Sequence, residues 1–180
     1  MLLFDTSRLV IRELMPSDSF AIFSFANENS INRYLGFGSV NSESDTNEYI
    51  NKAMVDASKK PRLSYKLAMS IKPSNELSGS CWLDIEDLHS NNASIGYFVD
   101  KNQWGNGYAT EMIKALVDFG FRELELHRIY ANCDADNAAS RRVLEKVGMT
   151  QEGLLREHCL RSYGWADVCM YGILRSESNL

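Results

Sequence analysis

The sequence predicts an α+β (mixed α/β) fold, with a central twisted mixed sheet of about seven strands flanked by about four helices. Three observations carry that expectation. Between Leu63 and Val99 apolar runs alternate with short turn signals, the pattern of an antiparallel meander. Ala109, Met112, Ile113, Leu116 and Gly120 then fall at helical spacing, as one apolar stripe. From there the chain reads helix, strand, helix, strand, strand, so an antiparallel half feeds helical crossovers.

Taken in order, Ser7 to Leu14 (Ser-Arg-Leu-Val-Ile-Arg-Glu-Leu) predicts the first strand, and Pro16-Ser17-Asp18 supplies turn and cap chemistry for a helix through about Ala26. The next helix begins after Ser42 or Ser44, carries Tyr49, Ile50, Ala53 and Met54 on one face, and ends by Pro61. The meander comprises Tyr65 to Ile71, Gly79 to Ile85 and Ala93 to Val99. Lys72-Pro73-Ser74-Asn75 and His89-Ser90-Asn91-Asn92 turn the chain between them. After the apolar stripe, Ile129-Tyr130-Ala131-Asn132-Cys133 reads as a strand. Asp136 or Asn137 caps a helix bearing Val143, Leu144 and Val147, and Gly148 suits the left-handed position that stops it. Two strands, about Glu152 to Leu160 and Ala166 to Leu174, close the fold as a hairpin around Ser162-Tyr163-Gly164.

With 180 residues, 44% of them apolar, the chain can bury one sizeable core, and one domain is expected over residues 1–180. A net charge of -5 and a pI near 5.2 argue against a protein that grips nucleic acid, which needs concentrated Lys and Arg, and are compatible with a cationic substrate. No apolar run approaches the roughly 20 residues that span a bilayer, and the first residues do not resemble a secretory leader. A soluble, cytoplasmic protein without membrane contact is expected. Cys81, Cys133, Cys159 and Cys169 lie far apart, without zinc-ligand spacing, and His89, His127 and His158 form no ligand set. Free, mostly buried thiols and no metal are therefore expected.

Two segments carry chemistry. Asp100 to Thr110 (Asp-Lys-Asn-Gln-Trp-Gly-Asn-Gly-Tyr-Ala-Thr) lies between a strand and a strongly amphipathic helix. Its glycines let backbone N–H groups converge where the helix start adds partial positive charge. Phosphate is the natural occupant; a plain tight turn is the alternative. Asn137 and Ser140 stand at the mouth of a second helix directly after a strand, where they could meet a polar cofactor or merely cap the helix.

Together with Ile95-Gly96-Tyr97-Phe98-Val99 and Glu152-Gly153-Leu154-Leu155-Arg156-Glu157, these segments resemble the GNAT acetyltransferase superfamily, and within it most nearly the RimJ/RimL branch, which acetylates ribosomal-protein N termini. Thr6-Ser7-Arg8-Leu9-Val10-Ile11-Arg12 is similar to that branch's first strand, so the resemblance spans nearly the whole chain. It implies a GNAT-like fold, acetyl-CoA as co-substrate and transfer to a primary amine such as a protein N terminus, with a homo-oligomer among the partners it allows. The strands ending at Val99 and starting at Arg128 would splay so that the pantetheine arm lies between them, and Gly96 would supply a bulge for the splay. The resemblance assigns the cofactor to Phe98, Val99, Trp104, Gly105, Asn106, Gly107, Tyr108, Ala109, Thr110, Asn137 and Ser140. Arg141, Arg142 and Lys146 could reach the nucleotide phosphates, or form a solvated helix face.

The mechanism it implies is direct attack of a neutral amine on the thioester, with an oxyanion donor near Phe98. The sequence departs from the family at three points. Trp104 stands where the phosphate loop often has Gln or Arg, Leu144 where many members have a proton-donating Tyr, and Ser94 where many have Glu. Ser140 is thereby left as the candidate proton donor, with Glu86 and Glu157 as candidate bases. Cys133 lacks a His or carboxylate at a telling spacing and is not expected to be a nucleophile. Two rivals are weighed. A dinucleotide-binding oxidoreductase would place its glycine motif first rather than after a hundred residues, while a degenerate acyl-CoA-binding module would bind without turnover. The acceptor-side loops, around Arg33 to Val40 and Leu160 to Trp165, carry no decodable signature, so a polyamine or antibiotic acceptor stays open.

Overall fold

A computed structural model describes residues 2–35 and 40–178. Its strands form one sheet of eight, ordered β1-β2-β3-β4-β5-β6-β8-β7. They are β1 (Leu2–Asp5), β2 (Leu9–Glu13), β3 (Ser64–Ile71), β4 (Glu76–Asp87), β5 (Asn92–Val99), β6 (Arg128–Asp134), β7 (Thr150–Arg161) and β8 (Gly164–Leu174). The helices are α1 (Ser19–Ala26), α2 (Asn29–Asn32), α3 (Glu43–Ser58), α4 (Tyr108–Arg122) and α5 (Ala138–Val147). The mixed α+β architecture read from the sequence is present, with two additions. β1 is four residues, and it pairs with β2 across the tight connection at Thr6 to Arg8. α2 is a single turn. Both are shorter than the window over which periodicity is readable.

Each face of the sheet has its own core. Leu67, Met69, Cys81, Leu83, Ala93, Ile95 and Ile129 pack under α4, whose Met112, Ile113, Leu116 and Phe121 are fully buried, and Leu144 of α5 joins them. On the other face, Ala68 and Phe98 pack against Ile22, Phe25, Ile50 and Ala53 of α1 and α3. This division follows the strand period: Tyr97 packs with the α4 core and Phe98 with the α1 and α3 core. α3 starts with a capping box, in which the Ser42 hydroxyl accepts from the Asp45 N–H at 3.3 Å and the Asp45 carboxylate accepts from the Ser42 N–H at 3.0 Å. Its face is rotated from the expected one. Thr46 is buried and bonded to Ser19 at 2.8 Å, whereas Met54 is exposed. Gly148, at φ +102°, ends α5 as read.

One break in the sheet matters for function. All strand pairs are antiparallel except β5 with β6, which run parallel and pair only from Asn92↔Arg128 to Ser94↔Tyr130. Beyond Ser94 the two strands separate while each keeps its outer partner: β5 pairs with β4 to Val99, and β6 with β8 to Asp134. Gly96 makes no bulge, contrary to expectation, because the β4–β5 register runs unbroken through Trp82↔Gly96. What requires glycine there is the Trp82 indole, since a Cβ on Gly96 would stand 2.0 Å from its ring.

Candidate active site

The separated ends of β5 and β6, with the starts of α4 and α5, enclose an open cleft of about 760 Å³. The sequence explains why the helices begin there. Trp104 donates its indole N–H to the Val99 carbonyl at 2.8 Å, folding the loop back onto the end of β5. Trp104 thus acts as a clamp in the position where a polar phosphate ligand was the family habit. Gly105 and Gly107 then take φ +81° and +79°, left-handed values that L side chains adopt at a cost, and Gly107 is the N-cap of α4. The N–H groups opening a helix have no carbonyl four residues earlier within it, so those of Tyr108, Ala109 and Thr110 form a donor cradle at the positive end of α4. A Cβ on Gly107 would project into open space, meeting only an Arg8 nitrogen at 3.6 Å, so the geometry fits close approach by a pyrophosphate.

The cradle is braced from behind. Glu111, in the first turn of α4, accepts from the Thr6 hydroxyl at 2.5 Å, the Arg8 backbone N–H at 3.2 Å and the Arg8 Nε at 2.6 Å. The Arg8 guanidinium lies 4.8 Å over the Tyr108 ring and donates to the Asn106 carbonyl at 3.0 Å. Burial opposes ionisation of Glu111, but the hydrogen bonds from Thr6 and Arg8 outweigh it and hold the carboxyl below its usual range. Asn106 is consequently turned toward this brace. It is absent from the cleft wall, whereas Phe98, Val99, Trp104, Gly105, Gly107, Tyr108, Ala109 and Thr110 are part of it.

Across the cleft, Asn137 caps α5 by accepting from the Ser140 N–H at 3.1 Å, so capping and a place on the cleft wall coincide. The Ser140 hydroxyl lies 3.1 Å from the Tyr97 hydroxyl, joining α5 to β5 over the gap. Burial raises the Tyr97 phenol, against the opposing effect of the Ser140 hydrogen bond, so it keeps its proton at neutral pH. Cys133 also faces this cluster; burial pushes its thiol up to about 11, which disfavours a nucleophilic thiolate. Arg142 and Lys146 line the cleft, but Arg141 turns away to the Tyr171 hydroxyl at 3.4 Å and the Ala135 carbonyl at 3.5 Å.

Neither glutamate proposed from sequence lies on the cleft wall. Glu157 is exposed on an irregular stretch of β7 at φ +48°, where its N–H donates to the Asp167 carboxylate at 2.8 Å. Glu86 is exposed too, yet its carboxylate accepts at 2.7 Å from the hydroxyl of Ser94, which does line the cleft. Sequence reasoning missed a second cluster at the far end. There Asp134, 2% exposed, accepts from Arg161 Nε at 3.0 Å, from Arg161 Nη2 at 2.7 Å and from the Tyr163 hydroxyl. A charged residue ending the apolar run Ile129 to Cys133 was the only available signal. Nothing in the hairpin marked Arg161 or Tyr163 as its partners. Of the acceptor-side loops, Arg33, Tyr34, Leu35 and Arg161 line the cleft, and residues 36–39 lie outside the described residues.

Among the described residues no group of three His, Cys, Asp or Glu side chains could hold a metal ion, and no helix is long and apolar enough to cross a membrane. Residues 8–150 match the family model described as acetyltransferase (GNAT) domain. YnaD, described as an uncharacterized N-acetyltransferase of Bacillus subtilis (strain 168), is 30% identical over 174 residues, covering 97% of this chain and 98% of its own. A ribosomal-protein-serine acetyltransferase of Escherichia coli (strain K12) is 31% identical over 87 residues, 48% of each chain. Among solved structures, a GNAT-family acetyltransferase from Bacillus anthracis superposes with a TM-score of 0.85 at 29% identity, covering 98% of this chain and all of the other.

Proposed function

The chain belongs to the GNAT acetyltransferase family and is an acetyl-CoA-dependent N-acetyltransferase, and from that premise we propose that it acetylates the α-amino group of a polypeptide, such as the N terminus of a ribosomal protein. One observation carries the placement of the chemistry: β5 and β6 stop pairing after Ser94 and Tyr130, and the gap opens between the starts of α4 and α5. The similarity to the ribosomal-protein-serine acetyltransferase supports the choice of acceptor.

In this reading the pyrophosphate rests on the α4 cradle from Gly105 to Thr110, and the pantetheine arm runs between the strands toward Asn137 and Ser140. The neutral amine attacks the thioester carbonyl carbon, the main chain around Phe98 supplies the oxyanion donor, and the carbon–sulfur bond then breaks. Ser140 gives the departing thiolate a proton, Tyr97, 3.1 Å behind it, replaces that proton, and solvent entering the open cleft returns a proton to Tyr97 as CoA leaves. The new ammonium releases its proton toward Glu86 by way of Ser94, because Asp134 is already saturated by Arg161 and Tyr163.

Incubation with labelled acetyl-CoA and peptides bearing free or blocked N termini tests the proposal. Label should appear on the α-nitrogen of the free peptides, with one free thiol released per acetyl transferred. Thiol release with small amines but with no peptide would overturn the acceptor assignment.

A further inference from the structure

We propose that Arg33 recognises a carboxylate on the acceptor, so that the enzyme selects amines carrying an acid group a few bonds from the nitrogen. The inference deepens the reading of this cleft as an amine-acetylation site and rests on it.

Two segments distant in sequence meet at the acceptor end. Arg33 and Tyr34 follow α2, and Tyr163 sits in the β7–β8 turn; the Arg33 guanidinium carbon lies 4.9 Å from the Tyr34 ring centre and 4.4 Å from that of Tyr163. The two rings contact each other edge to face at 6.5 Å. Aromatic contacts of this kind fix the guanidinium plane while leaving its N–H edge for a ligand. That edge is under-used. Among the described residues the ion pair of this side chain, from Nη2 to Asp136, is 3.6 Å long, and the side chain is a third open. Nε, enclosed, has no hydrogen-bond partner, so the terminal nitrogens are the ones that would meet a ligand. Asp136 itself is largely exposed, with 56% of its side chain open, so it is a weak competitor for a ligand oxygen.

The neighbouring charges define what fits. Arg161 spends its fork on Asp134, and the Tyr163 hydroxyl takes a further place on the same carboxylate. Asp134 therefore has little left for an additional ammonium group, and of Arg33 and Arg161, the two guanidinium groups that meet these tyrosines and Asp134, Arg33 is the one with donors to spare. A polycation would need free carboxylates; among the described cleft-lining residues the carboxylates are Asp134 and Asp136, one saturated and one facing Arg33. An amine with a nearby carboxylate instead places its anionic end against Arg33. Asp136 immediately precedes Asn137, the cap that positions Ser140, so this end lies beside the proposed chemistry.

The test is a comparison of kcat/KM, read by thiol release, across four kinds of acceptor: free acidic amino acids, peptides with an acidic second residue, their amide counterparts, and spermidine. The carboxylate-bearing amines should exceed their amide counterparts by about tenfold or more. Arg33→Gln should erase that preference mainly through KM, Arg33→Lys should keep part of it, and Asp136→Asn should increase it, with thermal melting as the check on folding. Equal use of acidic and amide peptides, unchanged in Arg33→Gln, would overturn the inference while leaving N-terminal acetylation intact. Spermidine as the best acceptor would overturn both. Turnover of free acidic amino acids but of no peptide would sustain the carboxylate subsite and remove the polypeptide acceptor.

Discussion

At the scale of single residues, Gly107 offers the sharpest test of the cofactor's place. Valine there would hold a branched side chain at φ +79°, costing about 1–2 kcal/mol in backbone strain, and would crowd the Arg8 guanidinium that braces the cradle, so that the loop shifts and its N–H groups no longer converge. Loss of two or three charge-assisted hydrogen bonds, at ~1.5–3 kcal/mol each, should weaken acetyl-CoA by about a hundredfold or more while the exposed loop leaves most of the fold intact. Calorimetric titration, with circular dichroism as control, measures this; parental affinity in a folded Gly107→Val protein would show the loop to be an ordinary turn. Residues whose role follows from backbone geometry were legible in the sequence: Gly107 before a helix and Asn137 after a strand are local signals. Roles that depend on a partner far along the chain were not. Tyr97 bonds Ser140 at a separation of 43 residues and Tyr163 reaches Asp134 over 29, and neither pairing leaves a trace in spacing. The positions of the two glutamates relative to the cleft were illegible for the same reason: neither lies on its wall, and Glu86 reaches it only through Ser94. Which face an exposed carboxylate shares with the cleft is settled by strand register and irregularities, such as the shift in β7 between Leu155 and Cys159.

At the scale of elements, α4 is joined to the β1–β2 connection through Glu111, on which Thr6, Ser7 and Arg8 converge, and through the Arg8 guanidinium over the Tyr108 ring. The same Arg8 fixes the Asn106 carbonyl, so the brace determines how the cradle is presented. Arg8→Ala should therefore weaken acetyl-CoA by about tenfold without removing any group that faces the cleft. Glu111 also predicts a pH dependence. Its folded pKa is depressed, so its contribution to stability is complete above the unfolded value, about 4.3, and is lost as pH falls through the folded value. Urea unfolding from pH 3 to 7 should show a shallower acid limb in Glu111→Gln than in the parent; superimposable slopes would mean that the carboxylate is no more favourably placed in the folded chain. Most elements were readable because hydrophobic period and cap chemistry agree along them, as in α4 and α5. The face of α3 was misjudged because Thr46, polar by type, is buried through its bond to Ser19.

For the whole molecule, the β5–β6 junction divides the sheet into β1–β5 and β6–β8, bridged along the strands by three paired residues and reinforced by α4 packing on α5. A ligand held between the strands joins both parts in the folded state alone. At about a hundred times its dissociation constant, acetyl-CoA should add roughly 2.7 kcal/mol to apparent stability, and NAD much less. Amide exchange should slow most at Gly96 to Val99 and Ala131 to Asp134; protection gained evenly over the chain would argue against a ligand seated in the gap. The junction also gives the molecule a direction of mechanical weakness. Tension drawn between β1 and β7, which lie at opposite margins of the sheet, runs across the strands, and within the interior of the sheet it concentrates at the β5–β6 junction, whose three residue pairs are as few as those that join the edge strand β1 to β2. The sheet interior is thus stiff along its strands and most compliant across one line, and in the proposed placement the substrate that the enzyme consumes is the brace that spans that line.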